Sequence, residues 1–304
     1  MRRGWLAGLA LPLLVGVTGV GKGETPPGLY ELMGRSDLAV VGRVVSGSLK
    51  LAQVEVVEVL RGSARPGERV QIAFRDLNGQ LRKSERVLFQ DDETDVLFLV
   101  PEMNAWGKPK SSDRYTLYRG RFGKFTLPRE GAATYLEAAR EFARLAALKD
   151  HRLLFAELRG FLASTNPIVV DSGLEEIFRL RIMDAKTLVM VVGYLQDASP
   201  HRRVSSLRLL AQYLEGGTNR TDPPDLQESV LPPVEVLVRN DPEEQVRVEA
   251  VRVLGVWGGD LVEPTLREVA EQDQAQSVRY EARVILLRHG GQVKQEPRKP
   301  ETHP

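Results

Sequence analysis

The chain has 304 residues, 42% of them apolar and 27% charged, an ordinary globular balance with enough apolar side chains for a sizeable core. Lysine plus arginine (42) offsets aspartate plus glutamate (41), so the net charge of +1 offers no global field for nucleic acid. Cysteine is absent, which excludes disulfides, thiolate metal sites, cysteine nucleophiles and lipid attachment through a cysteine.

Arg2 and Arg3 precede Trp5–Val20, WLAGLALPLLVGVTGV, a run without charge that ends among small residues. Residues 1–23 are therefore expected to be a secretory signal peptide. The run is short for a membrane span, which needs roughly 20 apolar residues, and Pro12 interrupts it. An uncleaved anchor is the alternative. An exported chain without disulfides is held by its core alone, which suits a bacterial periplasm or exterior. The expectation is a periplasmic or secreted protein with no membrane insertion once the signal is removed.

After the spacer KGETPPG (22–28) the texture turns to strand. SDLAVVGRVVSG (36–47), LKLAQVEVVEVLRG (49–62) and ERVQIAF (68–74) are rich in β-branched residues, and the last two alternate. ERVLFQ (85–90) and DVLFLVP (95–101) are short apolar runs, and RYTLYRG with RFGKFTL (114–127) reads as a hairpin around Gly120. Pro66-Gly67 and Asn78-Gly79 mark turns. Many short strands between turn signals predict a small antiparallel barrel or sandwich over residues 24–128, and a β-barrel is the expectation taken forward.

Past Pro128 the spacing becomes helical. Leu136, Ala139, Phe142, Ala143 and Ala146 share one face of EGAATYLEAAREFARLAAL (130–148), and HRLLFAELRGFLAS (151–164) continues in that mode. Further helices are expected near 172–182, 185–196, 200–215, 226–239, 242–257, 261–272 and 275–288. Residues 129–291 form the expected helical domain, and the polar, Pro-rich residues 292–304 an expected disordered tail.

Within the helical half the chain repeats itself. Asp241, Val246, Arg247, Glu249, Ala250, Leu254, Gly258 and Gly259 recur 32 residues later as Asp273, Val278, Arg279, Glu281, Ala282, Leu286, Gly290 and Gly291. Asp241 reads as an N-cap with Pro242 at the first helical position and Glu244 at the third. Asp273 and Gln276 repeat the pattern, and each glycine pair reads as a stop. A degenerate copy, DASPHRRVSSLRLLAQYLEGG, occupies 197–217. A helix pair that cannot bury both faces alone stacks on its neighbours, which predicts an α-α superhelix.

This spacing, with its D-x4-V-R-x-E-A-x3-L core, resembles HEAT-type repeats over roughly residues 185–290. The resemblance implies that Asp241, Arg247, Asp273 and Arg279 form a polar ladder between repeats and cap helices, an architectural role. The β region is similar to OB-like or netrin-like domains at the front of some exported bacterial proteins. Netrin-like inhibitors use an N-terminal cysteine, which is lacking here, so that inhibitory mode does not transfer.

Catalytic signatures are missing. His151, His201, His289 and His303 have no ligand spacing, and neither G-x-S-x-G nor a G-x4-G-K-[ST] loop occurs. GVTGVGKG (16–23) lies within the export segment. Asp91, Asp92, Glu93 and Asp95 could hold calcium, though an exposed hairpin tip that keeps a β edge soluble explains them as well. The expected function is that of an exported, non-enzymatic scaffold without cofactor or catalytic residues, which binds a protein partner through its helical repeats. The alternatives are an enzyme or enzyme subunit, since HEAT-like repeats also resemble those of lyases acting on tetrapyrrole chromophores, and a calcium-dependent binding module.

Overall fold

The structure, a computed structural model, describes residues 27–48, 51–73, 88–216 and 226–292. The expected signal peptide, the Asn78-Gly79 turn, the first half of ERVLFQ, the linker before residue 226 and the tail from residue 293 lie outside them. The chain divides into two compact units between Gly173 and Leu174.

The first unit is a closed five-stranded β-barrel with helices against it. Its strands are β1 (Leu38–Gly47), β2 (Leu51–Arg61), β3 (Arg69–Ala73), β4 (Thr94–Pro101) and β5 (Arg114–Leu117). β1 pairs antiparallel with β2 and β4, β2 with β3, and β4 with β5. The ring closes through a parallel pair, Gln71 and Ile72 of β3 beside Arg114 and Tyr115 of β5. Leu38, Val40 and Val44 of β1, Ala52, Val54 and Val56 of β2, Val70 and Ile72 of β3, and Leu97 and Leu99 of β4 fill the interior. These residues follow the period of two that a strand imposes.

The outer face of β1 and β4 is covered as well. Ala39, Val96 and Phe98 pack against Leu32 and Met33 of α1 (Leu29–Arg35) and Ala139 of α2 (Ala132–Ala146). A strand buried on both faces reads as a continuous apolar run rather than an alternating one, which is the texture of VLFLV. Helix α1 was not anticipated from its sequence: it is only seven residues long and forms because it seals this face. Arg140 of α2 donates two hydrogen bonds, at 2.8 and 2.7 Å, to Glu58 of β2, whose carboxyl this contact holds below its usual range. The switch from strand to helix thus falls between Thr126 and Ala132, whereas the compact unit runs on through α3 (His151–Phe161), where Phe161 packs edge-on against Phe142.

The expected hairpin around Gly120 is not formed. β5 and β6 (Lys124–Thr126) instead lie on the same edge of β4, β5 against Leu99–Pro101 and β6 against Asp95–Leu97, with a 3-10 turn at Gly120–Gly123 between them. Residues 88–90 do not form a strand but lead into the turn at Asp91-Asp92.

The acidic cluster is spoken for. Asp91 accepts from the Gly47 amide at 3.0 Å, and Glu93 accepts from the Gln90 amide at 2.9 Å. Lys124 lies 2.9 Å from Glu93 and 3.1 Å from Asp95, in the position a cation would take. Asp95 is fully buried within β4 rather than exposed at a tip. Its contact with Lys124 is ionic and off the hydrogen-bonding direction. Burial pushes the Asp95 carboxyl up to about 6 against the opposing pull of Lys124. The folded chain therefore holds this proton more tightly than the unfolded chain. The contribution is present at low pH and is lost as pH rises from about 4 to about 6. Between pH 4 and 7, urea unfolding of the Asp95→Asn protein should lack this decline, a difference on the order of 2 kcal/mol. Parallel pH profiles for the two proteins would refute the assignment.

The second unit is an α-α stack. Beyond α4 (Pro167–Leu180), α5 (Ala185–Gly193) pairs with α6 (Pro200–Glu215), α7 (Leu226–Asn240) with α8 (Glu244–Trp257), and α9 (Glu263–Gln272) with α10 (Gln276–Gln292). Helix α8 packs between α6 and α10 in one layer, and α7 meets α9 in the other. Leu207, Leu210, Val246, Ala250, Leu254, Val278, Ala282 and Ile285 are buried in the layer of even-numbered helices. The Gly258-Gly259 stop has positive φ at both residues, 70° and 79°, and Gly258 donates to the Leu254 carbonyl. The expected second stop does not occur, since α10 runs through Gly290-Gly291 to Gln292.

Candidate protein-binding groove

Each repeat begins with an aspartate six residues before an arginine: Asp197 and Arg203, Asp241 and Arg247, Asp273 and Arg279. Each aspartate accepts a hydrogen bond from the amide two residues on, at Ser199 (2.8 Å), Glu243 (2.9 Å) and Ala275 (2.7 Å). This is an Asx turn, which bends the chain before the helix begins. Helix α8 accordingly starts at Glu244 with Glu243 as its cap, so Asp241 stands two residues before the cap rather than at it. The same carboxylate also has a second partner. Arg203, from the preceding repeat, grips Asp241 through Nε (2.7 Å) and Nη2 (2.9 Å). Arg247 does the same to Asp273 at 2.9 and 3.1 Å, and its Nη1 donates to the Asp241 carbonyl at 2.8 Å. Arg279 donates Nη1 to the Asp273 carbonyl at 2.5 Å.

The side chains of Arg203, Asp241, Arg247 and Asp273 are buried at the helix starts. Planar forks of this kind give geometric specificity, here to the stacking of one repeat on the next.

A separate line of charges does face open space. Arg208 of α6 donates to Glu249 of α8 at 3.0 Å; Arg252 donates to the same carboxylate at 3.1 Å and to Glu281 of α10 at 3.0 Å. The hydrogen bond to Glu281 raises the Arg252 pKa further above its ordinary value. These residues floor an open groove of about 530 Å³ across α6, α8 and α10, with Phe178 and Arg181 at its α4 edge. His289 closes the other side, its Nε2 donating to the Gly255 carbonyl at 3.0 Å. Arg181 and Arg288 reach the groove exposed, and the side chain of neither makes a hydrogen bond or ion pair with another described residue. Arg181 also carries a left-handed φ of 54° after the end of α4. This is the left-handed conformation with which helices commonly stop, and the Ile182 amide donates to the Ile177 carbonyl across it.

No family model matches the chain, and no curated protein matches it. Among solved structures, a designed armadillo repeat protein in complex with the peptide (KR)4 aligns with a TM-score of 0.40 and 17% identity, over 51% of this chain and 76% of its own.

Of the residues singled out in the sequence, Asp241, Arg247, Asp273 and Arg279 follow one another in one row apart from the groove, buried at Asp241 and Arg247 and half-buried at Arg279. The groove residues were legible in part. Glu249 and Glu281 belong to the repeat, but their partners Arg208 and Arg252 lie on a helix face that looks merely solvated. Among the described residues no cluster of three or more metal-ligating acids or histidines occurs, and no helix is long and apolar enough to cross a membrane.

Proposed function

We propose that the helical unit binds an extended segment of a protein partner in the groove across α6, α8 and α10. The observation that carries this reading is the open groove itself, floored by the Arg208–Glu249–Arg252–Glu281 chain and edged by Arg181 and Arg288, whose side chains have no partner among the described residues. Fixed charge pairs supply orientation and register for an extended backbone, and free arginines at the edge supply attraction.

Export of a non-enzymatic scaffold is part of the same proposal. It rests on Arg2-Arg3 with the apolar run to Val20, and on the lack of catalytic motifs. An OB-like reading of the barrel is supported by a strand ring in which β1 joins β4 and β3 runs parallel to β5.

Val256 lines the middle of the groove without taking part in the charge rows. A Val256→Trp protein fills the groove and leaves the repeat contacts in place. Affinity purification of tagged proteins from the periplasmic or extracellular fraction, read by mass spectrometry, should show partners retained by the wild type and lost by this variant. Identical partner sets at matched thermal stability would dismiss the groove. Recovery of the chain only from the cytoplasm would dismiss export.

A further inference from the structure

Arg203 and Arg247 show a fixed division of labour. One amino group holds the carbonyl at the start of their own repeat, and the remaining Nε and Nη2 receive an aspartate at the start of the next helix. Arg279 makes the first contact, but among the described residues no carboxylate meets its Nε or Nη2. The same helix has an uncovered apolar stripe. Opposite the buried Val278, Ala282 and Ile285 lie Tyr280, 66% exposed, half-buried Val284, and Leu287, 77% exposed. Their i, i+4, i+7 spacing places them along one line of the helix. Exposed Arg283 and Arg288 flank it.

We infer that this face of α10 docks an acidic amphipathic helix of another protein, whose apolar side covers Tyr280, Val284 and Leu287 and whose carboxylate enters the open fork of Arg279. The two upstream forks show what such an arginine receives, an acid at the beginning of an incoming helix. Leu287 occupies the place that Gly255 has in α8, where Ile285 approaches so closely that a Cβ would lie 2.6 Å from it. A leucine in that place holds the incoming helix further out, so the partner is not another copy of this repeat. A second copy of the chain would bring Arg279, Arg283 and Arg288 against the same three cations, which opposes pairing.

The probe is a labelled helical peptide with leucines at i, i+4 and i+7, glutamates on its other face and aspartate in its first turn. Its counterpart has lysine for every acid. Fluorescence anisotropy with the full chain should show saturable binding of the acidic peptide and binding of the lysine peptide weaker by about tenfold or more. Arg279→Met and Leu287→Glu should each weaken the acidic peptide about tenfold, whereas Val256→Trp leaves it unchanged, which separates this face from the groove. Equal binding of both peptides, or indifference to Leu287→Glu, overturns the proposal. So does a dimer in light scattering that Leu287→Glu dissolves, which would assign the face to a second copy. A chain ending at Gln292 that binds the peptide about tenfold more tightly would assign it to the tail and overturn it equally.

Discussion

Replacing Arg247 by alanine should lower the stability of the helical unit by about 3–5 kcal/mol, the range for breaking a buried, hydrogen-bonded ion pair. The side chain is 4% exposed and joins two consecutive repeats. Its loss strands the Asp273 carboxylate, 6% exposed, and leaves the Asp241 carbonyl without its donor. Neither can turn to water without unstacking α10 from α8. Arg247→Lys keeps the charge but cannot present a two-pronged fork, and should recover only part of the loss. Arg208→Ala removes a guanidinium that is 43% exposed and leaves the buried Glu249 carboxylate its hydrogen bond from Arg252, so it should cost less than about 1 kcal/mol. Urea titrations followed by helical circular dichroism rank the three. A cost for Arg247→Ala no greater than that for Arg208→Ala would show that the repeats are held by apolar packing alone.

Substituting valine for Gly123 should cost the barrel about 2–3 kcal/mol. Its added Cβ would lie 2.4 Å from the Tyr118 carbonyl oxygen and 3.0 Å from that of Phe98. Both are backbone atoms, and the Tyr118 amide is bonded to the Phe98 carbonyl at 2.8 Å, so no flexible side chain is there to yield. The 3-10 turn would be levered off β4, and with it the register that lets β5 and β6 share one edge. Gly120, three residues earlier, has a left-handed φ of 59° but nothing within 4 Å of a Cβ. Gly120→Ala should therefore cost only about 1 kcal/mol, through backbone strain. Thermal unfolding of the two variants separates steric exclusion from conformational strain, and equal midpoints would refute the steric account.

Much of the helical half was legible because its signals are local. Val246, Ala250 and Leu254 announce a face by spacing alone, and the recurrence of Asp241–Arg247 as Asp273–Arg279 announces a unit that stacks on itself. The helix starts were misplaced by two residues for a non-local reason. An aspartate before a proline has the chemistry of a cap, yet Asp241 closes an Asx turn with the Glu243 amide and turns its carboxylate to Arg203, 38 residues away, so the helix starts two residues later. Asp95 shows the same limit. In sequence it ends an acidic cluster suited to an exposed tip, but its position in β4 buries it beside Lys124, 29 residues later.

By itself the sequence determined most of the strands and helices, though not α1 or the 3-10 turn at Gly120–Gly123, and where the chain passes from one texture to the other. Periodicity of two and of 3.6 is written in neighbouring residues, and each element has to expose one face and bury another. Only the tertiary structure decided how those elements close. It set the parallel β3–β5 seam of the barrel, the shared edge that replaced a hairpin at Gly120, and the Arg208–Glu249–Arg252–Glu281 floor of the groove. Each of these depends on backbones or charges brought together from distant parts of the chain. Which of several chemically equivalent partners an arginine or a strand edge takes is settled by packing, not by local pattern.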